Sequence, residues 1–281
     1  MQGYAYRAAL DAAALLDAFG LEGAKIWREY AARLSDRFRD AFWVDGRHGR
    51  QPALALDRDK RPVDSLTSNI GHLLGTELLN AEESAQVASL LGLPELADGH
   101  GLRTMSAADK GFRPLSYHRG GIWPHDTALA VLGLSRVGAH EPAARLMDGL
   151  LAAAESFDFR LPEMYGGDAR QVVPRPVPHP TACRPQAWAA AAAVVIVQAA
   201  LGLRVDVPAG EVGLAPLAGS PLGALSVRGL TIGDRAVDVD VGDDGLVRVT
   251  GLLDGLRVTP GADARVVRQR GPVAPADAGR R

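Results

Sequence analysis

Apolar residues recur at helical spacing through the first two-thirds of the chain. Residues 4–19 are rich in Ala and Leu and stop at Gly20, a residue suited to the turn that ends a helix. Over 21–42, Ile26, Tyr30, Leu34 and Phe38 fall four apart, which lines them along one helix face. Helical patterning returns over 65–79 and 81–91. In the second of these, Asn80 followed by Glu83 has the capping-box arrangement, in which each residue satisfies a backbone N–H of the first turn. Residues 124–137, 141–156 and 186–201 predict three further helices.

Between these helices the pattern changes. Residues 53–57 read as a strand followed by the charged turn Arg58-Asp59-Lys60-Arg61. Two long stretches, 99–121 and 157–185, have no clear period. The second contains Pro162, Pro174, Pro176, Pro178, Pro180 and Pro185, too dense for a helix. Long irregular stretches in a compact domain tend to carry function. Beyond Leu203 the alternation drops to two: 237–241 and 246–250 flank Gly242-Asp243-Asp244-Gly245, a hairpin signal, and 225–232 and 255–259 add candidate strands. The Pro/Ala/Gly-rich residues 271–281 read as a disordered tail. Helical hairpins joined alternately by short and long loops suit a mainly α fold, an (α/α)6 toroid-type helical barrel in which the long loops build a pocket at one end. The first helix begins with nothing before it to cap it, so the barrel is expected to be incomplete at its N-terminus. The expected division is a partial catalytic domain over 1–205, a small β appendage over 206–270 and the tail over 271–281.

Composition narrows the function. The 281 residues carry a net charge of −2 and are 47% hydrophobic. A core is within reach, and no basic excess points to nucleic acid or an anionic membrane. The longest apolar stretch, 187–197, falls short of the ~20 residues that span a bilayer. No secretory leader pattern opens the chain. A single cysteine, Cys183, rules out an internal disulfide, is expected to pack as a small apolar side chain, and fits a cytoplasmic setting. A neutral partner such as a sugar suits this balance.

Four clusters carry candidate chemistry. The densest is Tyr117-His118-Arg119-Gly120-Gly121-Ile122-Trp123-Pro124-His125-Asp126, which combines a phenol, two imidazoles, an indole and a carboxylate just before a helix. Sugar recognition needs that mixture, because flat aromatic faces cover the apolar side of a pyranose and polar groups take its hydroxyls. Asp126 capping the helix and Trp123 merely packing is the plainer reading of each residue alone. The second cluster is Leu161-Pro162-Glu163. A lone Glu in an irregular loop can be held rigidly as a general base, and a surface ion pair with Arg160 is the even alternative. In the third, Asn69 and His72 lie three apart on one helical face, placed to reach a ligand or to sit in the core. In the fourth, Gln186 starts a helix with Trp188 packed behind it, and it faces either a pocket or solvent. The spacing of His118 and His125 is not that of a zinc site, and neither metal nor cofactor is expected.

Taken in order, Ser-Asn-x-Gly-His (68–72), Tyr-His-x-Gly-x-x-Trp-Pro-His-Asp (117–126), Leu-Pro-Glu (161–163) and Pro-Gln-Ala-Trp (185–188) resemble the amylo-α-1,6-glucosidase, or glycogen-debranching, family of glucoamylase-like six-hairpin glycosidases. The resemblance runs from Gln2 through Leu203. It implies an inverting hydrolase of α-glucan, with Glu163 as general base. It also implies a sugar subsite of Tyr117, His118, Trp123, His125, Asp126, Asn69, His72 and Gln186. The family's general acid, an Asp in a Trp-x-Asp loop, precedes the segment matching Gln2, so the chain is similar to the C-terminal portion of a longer enzyme. Its expected partners are an oligosaccharide substrate and the N-terminal part of the same polypeptide, and alone it is expected to be inactive. The competing reading is a catalytically inactive helical fragment that binds glycan or a partner chain. A sugar phosphorylase would need an anion site, for which only Arg119, Arg160 and Arg184 stand near the clusters.

Overall fold

The computed structural model describes residues 1–261 and 264–269, so the expected disordered tail lies outside the described residues. The chain divides into two compact units, Met1–Val197 and a second beginning at Gln198.

In the first unit, α1 (Gln2–Ala18) packs against α2 (Ala24–Phe42). The small side chains Ala9, Ala13 and Ala31 are buried, and the far end of α2 closes with Phe38. Phe38 packs with Leu73 and Leu78 in a local core flanked by Tyr6, Phe42, Trp43 and Leu79. The apolar stripe expected on α2 is covered only at that end: Ile26 and Tyr30 are exposed. Two short antiparallel pairs follow, β1 (Trp43–Gly46) with β2 (Gly49–Pro52) and β3 (Ala55–Leu56) with β4 (Pro62–Val63). The second pair is closed by Asp57, whose carboxylate accepts the N–H groups of Asp59 and Arg61, which fixes the charged turn.

The helix expected over 65–79 is absent. A 3-10 helix, Ser68–Leu73, stands in its place, with Leu74 extended after it and Glu77 at φ 66°. Packing against the next hairpin explains the break. A Cβ on Gly133 would lie 2.7 Å from Leu74 Cβ, so the two backbones approach more closely than two ordinary helices allow. The capping box of α3 (Ala81–Leu91) forms as the spacing predicts: the Asn80 side chain accepts the Glu83 N–H and the Glu83 carboxylate accepts the Asn80 N–H, both at 2.8 Å. After the short α4 (Pro94–Ala97), α5 (Pro124–Arg136) and α6 (His140–Ser156) pack together, burying Val131, Leu134, Leu146, Met147 and Leu150. Each such side chain contributes about 1.5–3 kcal/mol by leaving water. α7 (Ala187–Leu201) runs from the first unit into the second.

The second unit contains two sheets. β5 (Arg204–Asp206), β6 (Glu211–Leu214) and β10 (Arg257–Pro260) form one, in the order β10-β6-β5. β7 (Leu225–Ile232), β8 (Arg235–Val241), β9 (Leu246–Thr250) and β11 (Arg265–Gln269) form the other, in the order β11-β9-β8-β7. The β8–β9 hairpin sits where the alternation predicts, with Val237, Val239, Val247 and Val249 buried.

These elements overturn the expected mainly α, (α/α)6 toroid-type barrel. Among the described residues there are seven α-helices and one 3-10 helix beside eleven strands in four sheets. α1 with α2 and α5 with α6 are adjacent pairs, but α2 and α3 are separated by two β pairs and a 3-10 turn. Periodicity misled here because the 65–79 pattern marks burial of Leu66, Ile70, Leu73, Leu74 and Leu78 in irregular backbone, not a helix face.

Candidate active site

The two aperiodic stretches are stitched into one surface by single β-bridges. Arg103 pairs with Ile122, Ile122 with Tyr165, and Tyr165 with Pro178, all antiparallel. Tyr165 is fully buried, and its hydroxyl donates to the carbonyl of His100 at 2.8 Å. Burial pushes its phenol far above the ordinary tyrosine range, so it stays protonated. This ladder sets Trp123, just past one bridge residue, beside Glu163, two residues before another. A Cβ on Gly167 would fall 1.8 Å from the Gly120 carbonyl oxygen, so only glycine lets these two loops lie in contact.

Glu163 is buried to 7% exposure by this arrangement. Tyr117 Oη donates to its Oε1 at 2.8 Å, and the Cys183 N–H donates to its Oε2 at 3.3 Å. The Glu163 N–H donates in turn to the Cys183 carbonyl at 2.8 Å, which fixes the backbone under the carboxylate. The alternative ion pair to Arg160 does not form among the described residues. Cys183 is exposed, contrary to the expectation that it packs as a small apolar side chain. The hydrogen bond from Tyr117 raises that phenol above its ordinary value of 10.0. The donor therefore persists at every pH below that value and is lost only as pH rises beyond it. Tyr117→Phe removes one of the carboxylate's donors without moving it, so kcat should fall roughly tenfold, less than the ~10²–10⁴ expected for loss of a general base itself. A variant with wild-type kcat would show that Tyr117 does not tune Glu163.

Tyr117 also ties Glu163 to an aromatic cluster. Its ring meets Trp123 edge-on at 4.7 Å between centroids, and Trp123 Nε1 donates to the Tyr117 carbonyl at 3.0 Å. His118 lies parallel to the indole, at 6.0 Å and 3°. On the other side His125 stacks on Trp188 at 4.4 Å, and Trp188 approaches Trp123 at 5.9 Å. His179 closes on Tyr117 at 5.9 Å. Neither His179 nor an exposed, ring-stacked Trp188 follows from the sequence. His179 sits in a Pro-rich stretch with no period, and Trp188 is expected only as packing behind Gln186.

Asp126 occupies the first turn of α5, where a carboxylate is favoured by the helix dipole, with Pro124 at the first helical position. It caps nothing: Oδ1 is held by His72 Nε2 at 2.5 Å, and Oδ2 is buried with no hydrogen-bond partner. His72 Nδ1 meets Tyr4 Oη at 2.6 Å. Tyr4 is another residue that sequence does not flag, 68 positions from its partner. His125 Nδ1 is likewise buried without a partner. Burial lowers the His125 pKa below its ordinary 6.5; His72 lowers it further, and Asp126 and Glu163 oppose the shift, which places this imidazole in the field of both carboxylates.

Two residues of the expected subsite make no hydrogen bond to the Tyr117–Glu163 cluster among the described residues. Asn69 is exposed and lines a cavity of about 300 Å³ with Tyr4, His72, Phe38, Phe42 and Leu54. Gln186 turns its Oε1 onto the Ala187 N–H at 3.0 Å, at the start of α7. A larger groove of about 750 Å³, between α3 and the α5–α6 turn, contains none of the candidate residues; it is lined by Asn80, Ala85, Leu93, Val137 and Pro142 among others. No group of three or more His, Cys, Asp or Glu among the described residues has the arrangement of a metal site. No described helix is long and apolar enough to cross a membrane.

Burial of two imidazoles makes stability depend on pH. His125 and His100 are both held neutral chiefly by their removal from water. Their folded values lie below the unfolded value of 6.5, so the unfolded chain binds more protons in acid. Their contribution to stability is therefore full above that pH and is lost as pH falls through the folded values. The melting temperature should drop on acidification from about pH 7.5 to about pH 5, and His125→Asn should flatten the drop. An unchanged pH profile in that variant would remove His125 from the account.

The family model of the mannosylglycerate hydrolase MGH1-like glycoside hydrolase domain matches residues 1–165, which include Glu163 and the 117–126 cluster. The chain belongs to this family. That makes it a glycoside hydrolase domain, and the match does not extend to the narrower debranching family. A search of the curated proteins finds no match. Solved structures of similar fold include the GH78 rhamnosidase of Bacillus sp. GL1, at 16% identity and TM-score 0.62 over 95% of this chain and 26% of that one. The GH63 mannosylglycerate hydrolase of Thermus thermophilus, solved with glucose, is similar at 18% identity and TM-score 0.54 over 70% of this chain and 46% of that one. The neutral trehalase of Saccharomyces cerevisiae is similar at 16% and 0.50 over 71% and 37%. The MGH1-like chain thus spans less than half the length of each of these structures.

Proposed function

We propose that this MGH1-like domain carries the water-activating half of an inverting glycosidase site, with Glu163 as the general base. One observation carries the reading: a buried carboxylate is oriented by a tyrosine whose ring lies against Trp123, so base and aromatic wall are built as one piece. In an inverting mechanism the base takes a proton from water as the water attacks the anomeric carbon. A second carboxyl group, about 6.5–9.5 Å away, protonates the leaving oxygen. Trp123 covers the apolar face of the sugar, and Asp126 and His125 take hydroxyls. The acid comes from outside the four clusters.

The substrate is a small glycoside, a reading favoured by the matching family's name and by the mannosylglycerate hydrolase and trehalase among the similar folds. A second reading, debranching of α-glucan at α-1,6 linkages, is favoured by the order of the four motifs, above all Trp123-Pro124-His125-Asp126. Assaying the domain in its native polypeptide context, with the acid present, against mannosylglycerate, trehalose and an α-1,6-branched dextrin, with NMR of the first-formed anomer, separates them. Inverted product from a small glycoside is expected. Turnover of the dextrin alone favours the second reading, and a retained anomer rejects the base assignment.

A further inference from the structure

Tyr4, His72 and Asp126 form a chain of three polar groups drawn from α1, the 3-10 helix and α5. Both links are short, 2.6 Å from Tyr4 Oη to His72 Nδ1 and 2.5 Å from His72 Nε2 to Asp126 Oδ1. The chain ends on a residue that is 7% exposed and whose second carboxylate oxygen is buried without a partner. A buried carboxylate oxygen left unpaired costs more than the hydrogen bond it forgoes, so such an atom in an ordered site calls for an occupant. The occupant must donate a hydrogen bond, as a sugar hydroxyl does.

We propose that Tyr4 is a positioning residue: acting through His72, it orients Asp126 so that Oδ2 is presented to a saccharide hydroxyl. This rests on reading the Trp123–Glu163 cluster as a glycoside site. In the arrangement proposed, Tyr4 Oη donates to His72 Nδ1, which leaves Nε2 to carry the proton that goes to Asp126. That hydrogen bond holds the ring in one of its two tautomers. Burial and the nearby Asp126 charge both raise the Tyr4 pKa, which keeps the phenol protonated and donating. Without Tyr4 the ring can take the other tautomer or rotate, and the carboxylate loses its orientation, as happens when the outer partner of a ligating histidine is removed. The link is invisible in sequence because Tyr4 and His72 lie 68 positions apart, in a helix and in a segment expected to be a different helix.

The test uses the full chain with 15N-labelled histidine, glucose as the probe, and Tyr4→Phe as the variant, with Tyr30→Phe on the exposed face of α2 as the control. In the wild type, His72 should show nitrogen shifts of the Nε2–H tautomer. Tyr4→Phe should move them towards a mixture and raise the glucose Kd about tenfold, equivalent to ~1.4 kcal/mol. Tyr30→Phe should do neither. In a His72→Ala background, Tyr4→Phe should have no further effect on Kd, because the residue it acts through is gone. Unchanged His72 shifts in Tyr4→Phe overturn the proposal. So does a changed tautomer with an unchanged Kd, which removes Asp126 Oδ2 from sugar binding, and so does a full further loss in the His72→Ala background. A wild-type protein that fails to bind glucose rejects the saccharide reading itself, and is told apart because it appears before any substitution is made.

Discussion

Glu163→Gln should lower kcat by about 10³-fold, within the 10²–10⁴ range of a lost general base, with KM little changed. The amide is nearly isosteric with the carboxylate and can still accept the Tyr117 hydroxyl, so the loops stay in place. It cannot take a proton from water. Only the transition state feels the loss, which is why the rate constant falls without the affinity. The neighbouring Cys183 N–H is the one contact at risk, since an amide nitrogen at the Oε2 position would face it donor to donor. That is worth about 1 kcal/mol of stability, readable as a small shift in melting temperature. Steady-state kinetics of the two proteins at saturating substrate, each in its native polypeptide context with the acid present, decide the matter. A Glu163→Gln enzyme with near-normal kcat would assign the base elsewhere.

The second large effect falls on the scaffold. Gly167→Ala puts a methyl 1.8 Å from the Gly120 carbonyl oxygen, and neither backbone has room to retreat. Gly167 N–H is bonded to the Pro114 carbonyl at 3.0 Å, and its own carbonyl accepts buried Arg103 Nε at 2.6 Å. Gly120 N–H is held by Thr104 Oγ1 at 2.8 Å. The clash must therefore open the seam between the two long loops, at a cost of about 3 kcal/mol, at the upper end of overpacking effects. For a unit of this size that lowers the melting temperature by about 10 °C. Because the same seam aligns Trp123 with Glu163, activity measured well below the new melting point should also fall. A Gly167→Ala protein with unchanged melting would mean that the loops are not in contact there.

How much of this can be read from the chain depends on how local each signal is. The α3 cap is legible because Asn80 and Glu83 act on each other across one turn. The β8–β9 hairpin is legible because Val237, Val239, Val247 and Val249 alternate around a Gly-Asp-Asp-Gly turn. The aromatic and acidic runs of 117–126 and 161–163 stand out because hydroxyls, imidazoles and carboxylates are uncommon in a stretch so short. What failed was non-local. The helix expected over 65–79 gave way to a close backbone approach between Gly133 and Leu74, far apart in sequence, and with it went the expected toroid. The pairing of β10 with β6 and of β11 with β9 is parallel, which no local alternation announces. Tyr4 and His179 reach the site from segments whose own patterns carry no chemistry. Asn69 shares a cavity with His72 and Tyr4, and Gln186 accepts the Ala187 N–H, contacts that their sequence neighbours do not announce.

The most direct measurement is a crystal structure of Glu163→Gln soaked with glucose, the sugar already seen in the Thermus mannosylglycerate hydrolase. The expected density places the ring against the Trp123 indole, with a hydroxyl on Asp126 Oδ2 and a water within hydrogen-bond reach of residue 163. Glucose lodged instead in the groove between α3 and the α5–α6 turn, with the Trp123 face bare, would contradict the account.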